Sequence, residues 1–198
     1  MATPSQLFQE LLSLRVLLAC LAVMLNPLVW NLAARLEYTT HAISRTFGGP
    51  RRGIITVALA ILGMNYLRTC LFNSVMEELS TWDLLRGDVA TAVGYTFVVL
   101  GAVLVLTSSW QLGFFCTFLG DYFGILLDNK VTEFPFNIVE DPMYWGSFMI
   151  HVGASLERAS FVGFLLTGCI GLSYIIAAQF EGPFTAMIYA KRDKSKTL

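Results

Sequence analysis

Long apolar runs separated by short charged stretches dominate the chain. Residues 16–34 carry no charge over 19 positions, 89–120 none over 32, and 159–180 none over 22. A bilayer core takes roughly 20 residues of helix, so each run is long enough to cross. Another run starts at Gly53 and reaches Leu67, 15 residues, before Arg68. It extends to Met76 if Arg68 faces protein or snorkels toward the interface. The 32-residue run exceeds one crossing, so its helix is expected to end near Trp110, leaving 111–141 as an interfacial segment. The pattern predicts an all-α, polytopic, membrane-embedded helical bundle forming a single domain over residues 1–198.

Residues 143–156 are 14 positions without charge apart from a titratable His151, which is short for a crossing. If they cross, Glu157-Arg158 is the tip of a C-terminal helical hairpin and the chain crosses five times; otherwise it crosses four times. Cations concentrate on the cytosolic side of membrane proteins. With the "KRDKSKTL" tail in the cytosol, five crossings leave only Arg15, Arg68, Arg86 and Arg158 of the 13 cations outside. Arg35, Arg45, Arg51, Arg52 and Lys130 join the tail inside. Four crossings split the cations seven to six, so five membrane-embedded helices are expected, with a lumenal N-terminus. "DPMYWG", 141–146, then becomes a cytosolic helix entrance. Pro142 suits a first helical turn and Asp141 an N-cap. The stretch is either a plain helix start with interfacial aromatics or part of a site.

Composition agrees with the pattern. The hydrophobic fraction is 56% and the charged fraction 14%, against about a quarter charged in a soluble domain. A net charge of −1 gives no reason to expect nucleic acid as a partner. Cys20, Cys70, Cys116 and Cys169 form no CxxC, and buried free thiols are the expectation. His41 and His151 make no metal-ligand spacing, so no metal site is expected. Arg15 interrupts the start, and the following run carries Asn26, Pro27 and Asn31, so a cleaved signal peptide is not expected. No internal repeat is visible, and no GxGxxG follows a strand.

Four stretches raise a more specific expectation. "NPLVWNLAAR" (26–35), "TFLGDYFGIL" (117–126), "FPFNIVEDPMYWGS" (134–147) and "PFTAMIYA" (183–190) resemble, in order, the phospholipid methyltransferase family, over about residues 24–193. The resemblance implies S-adenosylmethionine as methyl donor and a phospholipid amine in the bilayer as acceptor. The implied reaction is N-methylation of phosphatidylethanolamine, of its mono- and dimethyl derivatives, or of both, toward phosphatidylcholine. It also implies kinship with isoprenylcysteine carboxyl methyltransferases, whose cofactor site uses a similar Pro-x-Tyr-x-Gly element, here Pro142, Tyr144 and Gly146. The family's Gly-x-Gly element falls on Val99-Leu100-Gly101, where only Gly101 matches, and its Glu-Glu pair on Glu181-Gly182, where only Glu181 matches. The cofactor contacts so implied are Val99, Leu100, Gly101, Tyr144, Gly146, Glu181 and Gly182.

The chemistry is consistent with these residues. A carboxylate such as Glu181 can accept charge-assisted bonds from the donor's hydroxyls or ammonium, and glycine permits close backbone approach. Five crossings put Glu181, expected to follow the last span, on the same face as "DPMYWG". The acceptor amine must lose a proton before it can attack, and Asp121 is either that base or a solvated loop acid. Tyr122, Phe123, Tyr144 and Trp145 could receive a quaternary ammonium on their ring faces or form an aromatic belt. His151 is expected to be a packed, hydrogen-bonded side chain. A sterol reductase-like enzyme would need a clamp for a nicotinamide cofactor's phosphate, and only scattered arginines are present. A transporter or scaffold is the non-enzymatic alternative, but paired broken helices in repeated halves are missing. The tail Lys194-Ser195-Lys196-Thr197-Leu198 fits a dilysine retrieval signal for the endoplasmic reticulum or a basic tail near anionic headgroups. The endoplasmic reticulum membrane is the expected residence, with a mitochondrial membrane as the alternative.

Overall fold

The computed structural model describes residues 12–79, 81–129 and 131–196; Lys130 of the charge argument and Thr197-Leu198 of the tail motif lie outside the described residues. The described residues form six α-helices: α1 (Leu14–Thr40), α2 (Ala42–Phe47), α3 (Pro50–Glu78), α4 (Asp88–Thr117), α5 (Pro142–Glu157) and α6 (Phe161–Lys196). Short 3-10 turns stand at Asp83–Leu85 and Gly120–Phe123. α1, α3, α4 and α6 are each long and apolar enough to cross a membrane, and the protein is a multi-pass membrane protein. α5 has 16 residues and rises about 24 Å, short of a hydrocarbon core of roughly 30 Å.

The expected hairpin between α5 and α6 is present. Its tip rests against the α3–α4 connection: the Arg158 guanidinium is 3.4 Å from the Asn73 carbonyl and 3.5 Å from Glu77, and Trp82 N–H donates to the Ala159 carbonyl at 2.7 Å. At the other end of α5, Tyr144 bonds Glu181 on α6. α5 therefore runs from one end of the bundle to the other, antiparallel to α6.

A glycine seam joins α5 to α4. Gly94 and Gly101 lie seven residues apart on α4, as do Gly146 and Gly153 on α5, which places each pair on one helical face. A Cβ added to Gly146 would stand 2.6 Å from the Gly101 carbonyl oxygen, and one added to Gly94 would stand 2.8 Å from that of Gly153. The two backbones approach as closely as small residues allow, the usual basis of helix pairing in lipid.

Two apolar clusters cap the interior. One gathers Val16, Val23, Phe72, Val75, Leu166 and Ile170; the other gathers Ala34, Ile54, Val57, Tyr122, Phe123 and Ile188. Between them α1, α3 and α6 carry Asn26, Asn31, Asn65, Arg68, Tyr174 and Glu181. The sequence of each helix thus reads apolar, polar, apolar along its inner face, and the polar band marks the height at which a site can form.

Helix ends settle or shift the boundaries that the charge pattern suggests. α3 takes the longer of its two expected extents, passing Arg68 to Glu78, because the guanidinium turns inward, buried, and donates to the Tyr174 hydroxyl at 2.8 Å. α4 passes Trp110 and ends at Thr117, bent at Gly113, whose φ of 66° is open to glycine. The bend carries 114–123 back across the end of the bundle. α6 does not stop at Phe180 but runs through Pro183 to Lys196. Pro183 cannot donate a helical bond, and Arg35 from α1 bonds the Phe180 carbonyl at 2.9 Å beside it. Most of the basic tail is therefore helix. All four cysteines are free, but none has the full burial expected: Cys20, Cys116 and Cys169 are half-buried, and Cys70 is exposed on α3.

Candidate functional site

A cavity of about 570 Å³ occupies the polar band. Its walls come from every long helix and from the Gly120–Phe123 turn, and Asp121 and Glu181 both line it. Glu181 is its most constrained acid. Asn31 donates to Oε1 at 2.6 Å and the Tyr144 hydroxyl donates to Oε2 at 2.6 Å. The Asn31 amide also donates to the Pro27 carbonyl at 3.1 Å, so the proline of α1 helps fix the group that holds Glu181. The Tyr144 ring stacks on Tyr174, centroids 4.5 Å apart. Tyr174 continues the chain of contacts to Arg68 at 2.8 Å and to the Ser147 hydroxyl at 2.9 Å.

Asp121 stands in the 3-10 turn, held between Leu119 at φ 66° and Gly124 at φ 77°. Its Oδ2 accepts from the Thr185 hydroxyl at 2.8 Å. Thr185 is one helical turn beyond Glu181 on α6, so one helix face addresses both carboxylates. Tyr122 stacks on Phe184, centroids 5.3 Å apart, and its hydroxyl is buried without a partner. Trp30 Nε1 and Arg68 Nε share that condition, and all three residues line the cavity. Buried polar atoms in native proteins are nearly always bonded to protein or ordered water, so three unpartnered ones around one cavity mark positions that a ligand or water would satisfy.

The structure gathers some of the residues singled out by sequence and separates others. Asp121, Tyr122, Tyr144 and Glu181 line the cavity. Val99 and Leu100 are 60% and 50% exposed on the outside of α4. Gly101 and Gly146 are occupied in the glycine seam, and Gly182 is exposed with nothing within 4 Å of an added Cβ. Phe123 is buried in the second apolar cluster, and Trp145 is 54% exposed, edge-on to Phe148. Asp141 holds the residue position before α5, but its side chain makes no cap bond and lines the cavity instead. Glu181 is in the interior of a helix and not past its end. His151 is buried, with Nδ1 2.7 Å from the Ser147 carbonyl and its ring edge-on to Phe72.

Asn31, Arg68, Tyr174 and Thr185 were not marked as site residues by sequence. The available signal was polarity within apolar runs: Asn31 and Arg68 interrupt stretches that otherwise suit lipid, and such residues face protein or a cavity. What each bonds to, 106 residues away for Arg68 and Tyr174, carries no local signal.

The model of the phospholipid methyltransferase family matches residues 89–192. The chain is 44% identical to human phosphatidylethanolamine N-methyltransferase over 174 residues, covering 88% of this chain and 87% of that protein. It is 41% identical to phosphatidyl-N-methylethanolamine N-methyltransferase of Saccharomyces cerevisiae over 187 residues, 94% of this chain and 91% of the yeast protein. The Neurospora crassa protein of that same name is 44% identical over 176 residues, 88% and 82% of the two chains. No solved structure matches the chain.

Proposed function

Because this chain belongs to the phospholipid methyltransferase family, we propose that its cavity is where S-adenosylmethionine and the amine of a phospholipid meet, and that the product series runs from phosphatidylethanolamine toward phosphatidylcholine. The observation that carries the reading is the gathering of four carboxylates, Asp121, Glu140, Asp141 and Glu181, in one cavity whose walls also hold unpartnered donors. A volume of about 570 Å³ is in the range that encloses a small-molecule ligand. Carboxylates suit ammonium and ribose hydroxyls, and the Tyr122, Trp30 and Arg68 donors suit oxygen and nitrogen acceptors. The residues present therefore fit the donor.

Bound there, S-adenosylmethionine supplies an electrophilic methyl group on a sulfonium sulfur. The chain's residues do the remainder. Glu181, pinned by Asn31 and Tyr144, holds a cationic or hydroxyl-bearing end of the donor through charge-assisted bonds. Asp121 accepts the proton that an acceptor ammonium must lose before nitrogen has a lone pair. Thr185 orients that carboxylate through its bond to Oδ2. Tyr122 and Tyr144 line the cavity, each with one ring face already stacked, on Phe184 and Tyr174, and the opposite faces are those left to give the growing methylammonium cation–π attraction. The lipid has a side entrance in this reading. α3 and α4 follow one another in the chain but do not pack along each other, while Ile61 and Asn65 of α3 and Val105 of α4 line the same cavity.

The experiment is a labelled-methyl assay with phosphatidylethanolamine and its mono- and dimethyl forms supplied separately. Label in lipid supports the reading and shows which steps the enzyme performs. A folded protein that binds no S-adenosylhomocysteine and labels none of the three sinks it.

Five crossings belong to the same reading. They place Asp121, Tyr144 and Glu181 at the cytosolic side, where the soluble donor arrives, and the Glu157-Arg158 tip with Glu77 on the lumenal side. A glycosylation acceptor in a lengthened 157–158 tip should be modified, as should one in the 79–87 connection; modification of the second alone would refute the arrangement. The endoplasmic reticulum is the proposed residence, supported by Lys194 and Lys196 in the dilysine spacing. Leakage of a Lys194→Ser, Lys196→Ser variant to later compartments would attribute retention to that spacing, and unchanged location would remove the motif from the account.

A further inference from the structure

Arg68 is 7% exposed, lies in the cavity wall near the middle of α3, and has no acid beside it. Nη1 donates to the Tyr174 hydroxyl at 2.8 Å, and Nε is buried without a partner. Among the described residues no carboxylate stands within ion-pair distance of its guanidinium. Its polar neighbours in the wall, Asn65, Thr69, Ser147, His151 and Tyr174, include no acid. A guanidinium keeps its charge under all ordinary conditions, and an unpaired charge away from water is expensive. Cations inside membrane proteins occur where they face a cavity or a partner, and here the cavity is present and the described residues supply no anionic partner.

The acids stand elsewhere in the same cavity. Tyr174, which Arg68 bonds, precedes Glu181 by seven residues on α6, two turns and about 10 Å along the axis. Asp121 is bonded to Thr185, a further turn on. The cavity is therefore polarised, with a guanidinium toward the α3–α6 middle and four carboxylates, Asp121, Glu140, Asp141 and Glu181, toward the end that holds the Gly120–Phe123 turn and the start of α5. Such a cavity suits a zwitterion laid along it. The Nε edge of an arginine fork is one of the two that pair bidentately with phosphate or carboxylate, and here its Nε is unbonded.

We propose that Arg68 is the oxyanion-binding residue of this cavity, holding the phosphate diester of the acceptor lipid or the α-carboxylate of the methyl donor while Asp121 and Glu181 face the cationic end. The proposal rests on the methyltransferase reading above. The lipid headgroup pairs a phosphate with an amine, and the donor pairs a carboxylate with an α-ammonium and a sulfonium, so the shared chemistry is a singly charged oxyanion a few bonds from a cationic centre.

Three ligands separate the two sources: S-adenosylhomocysteine, its decarboxylated analogue, and a short-chain phosphatidylmonomethylethanolamine. Affinities for the first two are measured by calorimetry and for the lipid by phosphorus NMR titration, on the full chain in nanodiscs. If the donor's carboxylate is the ligand, Arg68→Met weakens S-adenosylhomocysteine by roughly ten- to a hundredfold and leaves the analogue and the lipid unchanged. If the phosphate is the ligand, the lipid weakens by that factor and both nucleosides are unchanged. Arg68→Lys keeps the charge without the fork and falls between parent and Arg68→Met on the same ligand. A folded Arg68→Met protein that binds all three within about twofold of the parent overturns the proposal. So does equal weakening of all three, the analogue included, which is the mark of a merely structural arginine. Should Arg68→Met not fold, the same comparisons on Arg68→Lys decide: weakening of one oxyanion ligand alone supports the assignment, and uniform or absent change overturns it. A parent that itself binds no S-adenosylhomocysteine fells the methyltransferase reading and this assignment together, whereas a binding parent with an indifferent Arg68→Met fells only the assignment.

Discussion

Asp121→Asn protein is expected to bind S-adenosylhomocysteine as the parent does and to lose turnover on the order of 10²–10⁴-fold, the usual worth of a positioned general base. The substitution preserves shape. The Asn carboxamide oxygen can still accept from Thr185, which bonds Asp121 at 2.8 Å, so the turn between Leu119 and Gly124 keeps its anchor. What disappears is the oxygen that can take a proton from an ammonium. Single-turnover methyl transfer with labelled donor reads the loss directly, and the binding measurement shows whether the donor site survived. Turnover near the parent's across roughly pH 7–10 would remove Asp121 as the base and leave desolvation of the amine as the source of its lone pair.

Glu181→Gln is expected to act on the other ligand. Removing one charge-assisted bond costs about 1.5–3 kcal/mol, roughly ten- to a hundredfold in donor affinity, with little change in the lipid's KM. The fold should tolerate it. A glutamine oxygen accepts from Asn31 as Oε1 does, and the Tyr144 hydroxyl can turn to accept from the new amide. The alternative outcome is informative because of the geometry: both Glu181 oxygens are already bonded at 2.6 Å. If those bonds satisfy the carboxylate and no ligand reaches it, Glu181→Gln will leave S-adenosylhomocysteine affinity intact, and Glu181 becomes a brace for Tyr144. Gly182→Glu separates the two members of the Glu-Glu motif. On sequence alone, restoring the pair should be tolerated or tighten donor binding. Gly182 is exposed, with open space around an added Cβ, so the structural expectation narrows to tolerance with unchanged affinity.

Apolar run length made four long helices legible, and the tip at Glu157-Arg158 made the hairpin legible. Helix ends were not, because the charges that seemed to end them are inside. Arg68 left two extents open and is an interior residue bonded to Tyr174; Glu181 looked like the end of a span and is bonded to α1 and α5. A charge closes a membrane helix only if lipid or water would otherwise surround it, and that depends on neighbours distant in the chain. Asp121, Tyr144 and Glu181 were found through family strings and reach one cavity. Val99 and Leu100 were carried over with Gly101 as one motif, but three consecutive helical residues point in three directions. Only the glycine faces α5, and the other two face outward.

The glycine seam has a consequence for how the protein is made. α5 is too short to be taken into a bilayer on hydropathy alone, and its 16 residues leave the ribosome after α4 and before α6. Until residue 157 is available, the Gly94 and Gly101 face of α4 stays uncovered in the bilayer, a vacant berth of backbone. In the proposed five-crossing arrangement, α5 partitions by docking into that berth, with α6 drawing its far end across behind it. Insertion and assembly would then be one event for this segment, where most membrane helices separate them. A larger side chain at Gly94 or Gly153 would therefore strand α5 at the surface it was synthesised on, keep the Glu157-Arg158 tip from crossing, and deliver the chain to membrane quality control before its chemistry could be measured.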